Sequence, residues 1–314
     1  MADNYPAIAI VGPTASGKTG LGIRLSLRFN GEIVNCDALQ VYRHMNIGTA
    51  KSSIEEQSLV PHHLLDMRNP GEDFSAGDYQ RLARESLEDI RNRSRIPFVV
   101  GGTGFYLRAL IEGLFEGPPR AEAMRTRMRK IIKRKGSAIL HRALQRIDPQ
   151  SAAGIEQADA ERIIRAYEVY LVSGKSMSWW QQQPRNALQG FCWLKIGIHV
   201  PRELLYRRID QRVERMFETG FVEEVRELLQ EHPRTTHAFK AIGYRQIVEY
   251  LDGRGSLAEA IEETKKQSRH YAKRQLTWFR SSEDIHWLDG RLDFEQLLQE
   301  SEVLVADFVE SCKA

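Results

Sequence analysis

Gly12-Pro13-Thr14-Ala15-Ser16-Gly17-Lys18-Thr19 has the G-x-x-x-x-G-K-S/T spacing of a phosphate-binding loop. Its flanks agree with that reading. Ala7 to Val11 before it is a short apolar run suited to a buried strand, and Leu21 to Phe29 after it suits a helix. A loop in that position turns its backbone N–H groups inward around an anion at the helix N-terminus. Lys18 adds a point charge on the phosphate oxygens, and the Thr19 hydroxyl is placed for Mg²⁺. These eight residues predict a site for a di- or triphosphate group.

The surrounding pattern extends the prediction to a fold class. Glu32 to Cys36 reads as a second strand ending in Asp37, and Ile96 to Val100 as a third ending in Gly101-Gly102-Thr103-Gly104. Between them Phe74 to Arg93 reads as an amphipathic helix, with Tyr79, Leu82, Leu87 and Ile90 on one side. Strands alternating with helices imply a parallel sheet covered by helices, and ligands of such sheets sit beyond the carboxyl ends of the strands. Lys18 with Thr19, Asp37 and Thr103 therefore converge on one crevice. The expected fold is α/β, a P-loop NTPase-like parallel sheet core with an inserted all-helical domain.

The insertion announces itself by charge. After Gly117-Pro118-Pro119, the stretch from Arg120 to Arg146 carries Arg125, Arg127, Arg129, Lys130, Lys133, Arg134, Lys135, Arg142 and Arg146 against Glu122 alone. Helical pattern continues without a clear strand until Trp193 to His199, an apolar strand that resumes the sheet. The predicted core is 1–117 with 190–314, and the predicted helical insertion is 118–189. Later helices are read at Glu203 to Met216, Val222 to Glu231 and Leu257 to Arg280. On the last, Lys265, Arg269 and Lys273 recur at helical spacing, with Tyr271, Trp278 and Phe279 interleaved. Cations and rings on one helix suit an RNA surface; a helix with its rings packed inward is the plainer alternative.

Composition is that of a globular chain, 42% hydrophobic and 28% charged, with a formal net charge of +3. No apolar run reaches the length of a membrane span, and the N-terminus lacks the pattern of a signal or transit peptide, so a cytoplasmic protein is expected. Cys36, Cys192 and Cys312 are too few and too dispersed for a disulfide framework or a zinc site. His62-His63 lacks the i, i+4 spacing of a metal pair and is given a structural or ligand-edge role.

Asp37 admits three readings: a magnesium ligand, a cap, or a general base. Beside a diphosphate and Mg²⁺ it stays ionised, which suits proton abstraction from an incoming nucleophile. Thr103, on a glycine-flanked turn, can donate a hydrogen bond to an oxygen that becomes negative, or can simply hold its turn.

Several separated stretches together resemble the tRNA dimethylallyltransferases, also called tRNA isopentenyltransferases, in their bacterial form. They are Gly12 to Thr19, Asp37 to Tyr42, Ile47 to Lys51, His62 to Asp66, Val100 to Leu107, Glu161 to Ala166, Ala241 to Tyr244 and Tyr271 to Arg280. The resemblance implies transfer of a dimethylallyl group from dimethylallyl diphosphate to N6 of the adenosine just 3′ of the anticodon, with Mg²⁺ as cofactor and tRNA as partner. It implies that Gly12 to Thr19 holds the diphosphate, that Asp37 takes the N6 proton, and that Thr103 contacts the bridging oxygen or the substrate. The tRNA contacts it implies fall on Asp37, Ala38, Leu39, Gln40 and Thr103. In the insertion they fall on Arg125, Glu161, Arg162, Ile163, Ile164 and Arg165. Further on they are Lys240, Ala241, Ile242, Gly243, Tyr244 and Arg245, then Lys273, Arg274, Gln275, Leu276, Thr277, Trp278, Phe279 and Arg280. Arg208 and Arg212 are added as diphosphate clamps from their helix position. Ala38, Asn46 and His270 depart from the family's usual Ser, Asp and Gln. A monomer is expected, since no coiled-coil seam is present. The rival readings are a P-loop small-molecule kinase, which leaves the basic insertion without a role, and a non-catalytic RNA-binding protein.

Overall fold

The computed structural model describes residues 4–312. They divide into two compact units, one of residues 4–111 with 188–312 and the other of Glu112–Ala187, against expected insertion boundaries of 118 and 189.

The first unit is built on β1 (Tyr5–Val11), β2 (Gly31–Asn35), β3 (His62–His63), β4 (Ile96–Gly101), β5 (Phe191–His199) and β6 (Ile285–Asp289). These form one sheet in the order β3-β2-β4-β1-β5-β6, and every neighbouring pair is parallel. From β1 the chain runs outward to β2 and β3, returns through β4, and then builds β5 and β6 on the other side. The order reverses beside β1, so the loop after it opens into the crevice where such sheets take ligands.

Side chains of β1 alternate between two apolar layers. Ile8 and Ile10 pack with Leu21 and Leu25 of α1 (Lys18–Arg28), Leu205 and Ile209 of α10 (Arg202–Glu218), and Leu297 of α14 (Phe294–Ser311). Ala7, Ala9 and Val11 face Tyr79, Leu87 and Ile90 of α3 (Ala76–Asn92) and Leu107 of α4 (Gly104–Glu112). A parallel sheet has to be covered on both faces, which is why its strands read as continuous apolar runs. A further cluster joins Val41, Tyr42 and Met45 to α11 (Phe221–Glu231) and α12 (Tyr244–Leu251). Ser53 with Glu56 opens α2 (Ile54–Leu59), and Ser256 with Glu259 opens the long α13 (Leu257–Arg280), both as capping boxes.

The second unit holds α5 (Glu122–Lys135), α6 (Ser137–Ile147), α7 (Pro149–Ala153), α8 (Ala160–Ser173) and α9 (Met177–Gln181) around Met128, Leu144, Ile163, Ile164 and Tyr167. It contains fourteen lysines and arginines against eight acids, a net +6 in a chain whose total is +3.

Several elements escape the sequence pattern, α2, α4 and α12 among them. β3 is two residues long, so Ile96 to Gly101 is the fourth strand and not the third. β6 and α14 lie beyond the last helix that periodicity picks out. Cys192 on β5 is joined by a disulfide to Cys312 after α14, across 120 residues of sequence, a single link where the sequence reading expected no disulfide framework. Cys36 is free and buried. His63 is structural: its ring meets the buried Glu32 carboxylate at 2.6 Å, which Arg93 also contacts at 2.8 Å. Among the described residues no helix is long and apolar enough to cross a membrane.

Candidate active site

The loop after β1 enters α1 through Gly17, whose left-handed backbone (φ 93°) offers no side-chain cap. The first N–H groups of α1 are thus left for a ligand. Lys18 folds back so that its ammonium donates to the Pro13 carbonyl at 3.2 Å. From α10, the Arg212 guanidinium donates to the Thr14 hydroxyl. Together with Arg208 and Arg215 they line a cavity of about 390 Å³ that includes Gly17 and Thr19, with Glu56 as its only carboxylate.

This cavity is short of acceptors. Ser16 Oγ and Arg212 Nε are buried without a hydrogen-bond partner, a condition that costs about 1–3 kcal/mol for each neutral donor and more for a charged one. Burial pushes the Lys18 ammonium down to about 8, the Arg212 charge adds to that, and the Asp37 carboxylate opposes it. Burial lowers Arg212 as well, again opposed by Asp37. Two cations destabilised by desolvation and by each other favour a multiply charged anion between them.

Asp37 lies two residues past the end of β2. Its Oδ1 accepts from the Leu39 N–H at 2.9 Å, and Oδ2 has no hydrogen-bond partner among the described residues. The β2–β4 ladder continues past the strand ends, with the Thr103 N–H donating to the Cys36 carbonyl at 3.1 Å. That pairing sets the Thr103 side chain beside Asp37, where its Oγ1 accepts from the Ala38 N–H at 3.2 Å. Tyr271 of α13 faces both. Burial, then the Asp37 charge, pushes its phenol up.

One turn along α13, Gln275 ties the two loops together. Its Oε1 accepts from the Thr14 N–H and its Nε2 donates to the Gly102 carbonyl, both at 2.9 Å. This contact explains two glycines: a Cβ on Gly102 would lie 2.2 Å from Gln275 Nε2, and one on Gly104 would lie 2.0 Å from the Trp278 ring.

The strand ends therefore bring together Gly12 to Thr19, Asp37 and Thr103. Other residues that the resemblance assigns to tRNA are placed differently. The side chains of Ala38 and Leu39 pack against apolar clusters, and the Gln40 amide donates to the Thr49 and Ala50 carbonyls at 3.1 Å each. Tyr244 is fully buried, with its hydroxyl donating to Glu224 at 2.6 Å, and Gly243 is buried beside it; Lys240 and Arg245 are exposed. On α13, Lys273, Arg274, Thr277 and Arg280 are exposed, Leu276 and Trp278 half-buried, and Gln275 and Phe279 buried.

In the second unit Ile163 and Ile164 are core residues. The Arg125 side chain is 7% exposed and paired with Glu161 at 2.8 Å and Glu168 at 3.5 Å. Arg165 also pairs with Glu168, at 2.6 Å. Hydrogen bonds from Arg129 and Arg125 hold the Glu161 carboxyl down at about 2 against the opposing effect of burial. The apolar and ion-paired interior encloses the side chains of Tyr244, Ile163, Ile164, Gln275, Phe279 and Arg125.

Sequence reasoning missed Arg215 and Glu224, and it read Tyr271 as a ring on an RNA-facing helix without placing it beside Asp37. Tyr271 was detectable in principle, standing four residues before Gln275 on one helical face. Glu224 carried no signal. Its carboxylate accepts from the Asn46, Ile47 and Gly48 N–H groups at 2.9, 2.6 and 3.2 Å, organising the loop behind the site.

Comparison with known proteins gives a consistent result. A family model described as IPP transferase matches residues 40–282. A tRNA dimethylallyltransferase of Koribacter versatilis is 48% identical over 90% of this chain and 92% of that protein. One of Geobacillus thermodenitrificans is 47% identical over 90% of each. The crystal structure of the full-length tRNA isopentenylpyrophosphate transferase from Bacillus halodurans matches with a TM-score of 0.74 and 39% identity, covering 99% of this chain and 98% of that one. A eukaryotic dimethylallyltransferase, captured in crystallographic snapshots acting on tRNA, matches with a TM-score of 0.81 and 28% identity, covering 98% of this chain and 80% of that one.

Proposed function

This chain belongs to the IPP transferase family of tRNA dimethylallyltransferases, and from that premise we propose how its own residues carry the reaction. The donor is dimethylallyl diphosphate, and the acceptor is N6 of the adenosine immediately 3′ of the anticodon. The bond between the allylic carbon and the bridging oxygen breaks, a carbon–N6 bond forms, the N6 proton leaves, and diphosphate is released.

The exocyclic amine of adenine is a poor nucleophile because its lone pair is delocalised into the ring. Asp37 receives its proton as the new bond forms, through the Oδ2 that no protein group occupies. A positioned base of this kind contributes roughly 10²–10⁴ in rate. The loop from Gly12 to Thr19, with Lys18, Arg208 and Arg212, takes the charge that builds on the departing diphosphate. Thr103, held by the Ala38 N–H, donates its hydroxyl toward the bridging oxygen.

Mg²⁺ fits as a partner of the donor and not as a tenant of a protein cage. Among the described residues no cluster of three carboxylate, histidine or cysteine ligands exists, and Thr19, which lines the cavity, would offer its hydroxyl to the ion. Bound there, Mg²⁺ would neutralise diphosphate charge.

Exposed Lys273, Arg274 and Arg280, with the +6 of the inserted unit, supply the cations that a tRNA backbone needs. The work is that of a cytoplasmic monomer.

The observation that carries this reading is the buried, unpartnered Arg212 Nε in the cavity that Lys18 also lines, with an Asp37 carboxylate that has one free oxygen and acts on both cations. Incubation of the protein with an unmodified tRNA transcript and dimethylallyl diphosphate, followed by mass spectrometry of the digested RNA, tests it. A dimethylallyl mass gain on that adenosine is the expected result; phosphoryl transfer from ATP without prenylation would favour a kinase.

A further inference from the structure

A second basic cavity lies apart from the diphosphate cradle, where the end of β5, the start of α10 and the last turns of α13 meet. We propose that it is a phosphodiester subsite, holding one backbone phosphate and its ribose from the RNA strand that enters the active site. This rests on the tRNA reading above and extends it to residues that no part of that reading uses: His199, Arg202 and Tyr206.

The cavity measures about 230 Å³, and its charge comes from Arg202, Lys273 and Arg280. Among the described residues none of the three has a carboxylate partner at ion-pair distance. Arg269 nearby is different, since Asp210 neutralises it at 2.6 Å. The walls are held in place. The Arg280 guanidinium, which can only donate, meets His199 Nε2 at 2.9 Å. The Tyr206 ring is fixed between the Arg202 guanidinium at 5.1 Å and that of Arg269 at 5.9 Å from its centroid.

The lining also decides the class of ligand. Val200, Leu205 and Leu276 give it an apolar floor beside the cations. Free inorganic phosphate has nothing to set against that floor or the tyrosine ring, whereas a nucleotide presents an anion and an apolar sugar face together. The placement suits a strand that passes the reaction centre. Arg202 lies ten residues before Arg212 on α10, about 15 Å along the axis, and Lys273 lies two residues before Gln275, which touches the phosphate loop.

The test is the salt dependence of binding of an unmodified tRNA transcript to the full chain. Arg202→Ala is expected to weaken binding about fivefold near 0.1 M salt and to reduce the slope of log K against log salt by roughly 0.7–0.9, the loss of one phosphate contact. Arg202→Lys should restore most of the slope. Arg207→Ala, an exposed cation on the same helix but outside the cavity, should leave it as in the unaltered chain.

A slope unchanged in Arg202→Ala overturns the subsite, and so does an equal loss in Arg207→Ala, which would mean a diffuse field. Inorganic phosphate that competes with the transcript in the unaltered chain, and no longer does so in Arg202→Ala, at concentrations where a ribonucleotide does not compete, would assign the cavity to free phosphate and overturn the RNA assignment. If the unaltered chain itself bound tRNA without salt dependence, the tRNA reading would fall first.

Discussion

Gln275 accepts a hydrogen bond from the backbone N–H of Thr14, 261 residues earlier in the chain, at 2.9 Å. Its other amide atom donates to the Gly102 carbonyl at the same distance, so one side chain spans the loop of Gly12 to Thr19 and the loop that carries Thr103. The relative position of the two loops then depends on a single buried amide, 5% exposed.

Replacement of Gln275 by Leu is expected to strand both backbone groups, at about 1–3 kcal/mol each, and to raise the Michaelis constant for the donor and lower turnover together. Glu at this position keeps the bond to Thr14 but sets a carboxylate against the Gly102 carbonyl and the diphosphate. It should bind inorganic diphosphate more weakly than the Leu variant does. Calorimetric titration of diphosphate ranks the two; a Glu variant as tight as the unaltered protein would contradict the strut.

Asp37→Asn preserves the acceptor for Leu39 and removes the base. Turnover should fall by roughly two to four decades, with tRNA affinity little changed. Single-turnover prenylation beside filter binding separates these quantities, and full activity of the amide variant would exclude proton transfer to Asp37.

Lys18 is held at about 8 by burial first and by Arg212 second. The protonated form binds diphosphate, so donor affinity in the free enzyme should weaken as pH rises through about 8. Removal of the Arg212 charge with Arg212→Met relieves part of the depression, so the inflection moves to higher pH even as overall affinity drops. An inflection that stayed in place or moved down would show that the two cations are not coupled.

Arg125 should behave as a structural residue. Its loss leaves the fully buried Glu168 with Arg165 as its remaining cation, and breaking a buried ion pair costs about 3–5 kcal/mol. Arg125→Ala is expected to lower the melting temperature of the protein while the salt slope of tRNA binding holds. Unchanged melting with a flattened slope would return Arg125 to the RNA surface.

Local pattern made much of the molecule legible. β1, α1, β2, α3, β4, β5 and α13 show in their periodicity, and the crevice follows from strand ends that carry Lys18, Asp37 and Thr103. β3 was hidden because two residues make no period. β6 and α14 were missed although Ile285 to Leu288 and the helix after it held the residues to suggest them. The motif blocks pointed correctly to stretches and less well to atoms. In Tyr271 to Arg280 every third or fourth side chain is buried, and a block cannot say which.

The sequence by itself determined the chemistry on offer: a loop whose glycines and lysine suit only a phosphate, an acid at a strand end, and a cationic insertion. Those are properties of short segments, set by local backbone preference and residue type. Tertiary structure decided which groups are spent and which are free. Gln275 meets Thr14, Glu224 meets Asn46 to Gly48, and Glu168 claims Arg125 because packing joins segments far apart in the chain. A buried polar group must find a partner, and only the folded chain determines whether that partner is protein or substrate.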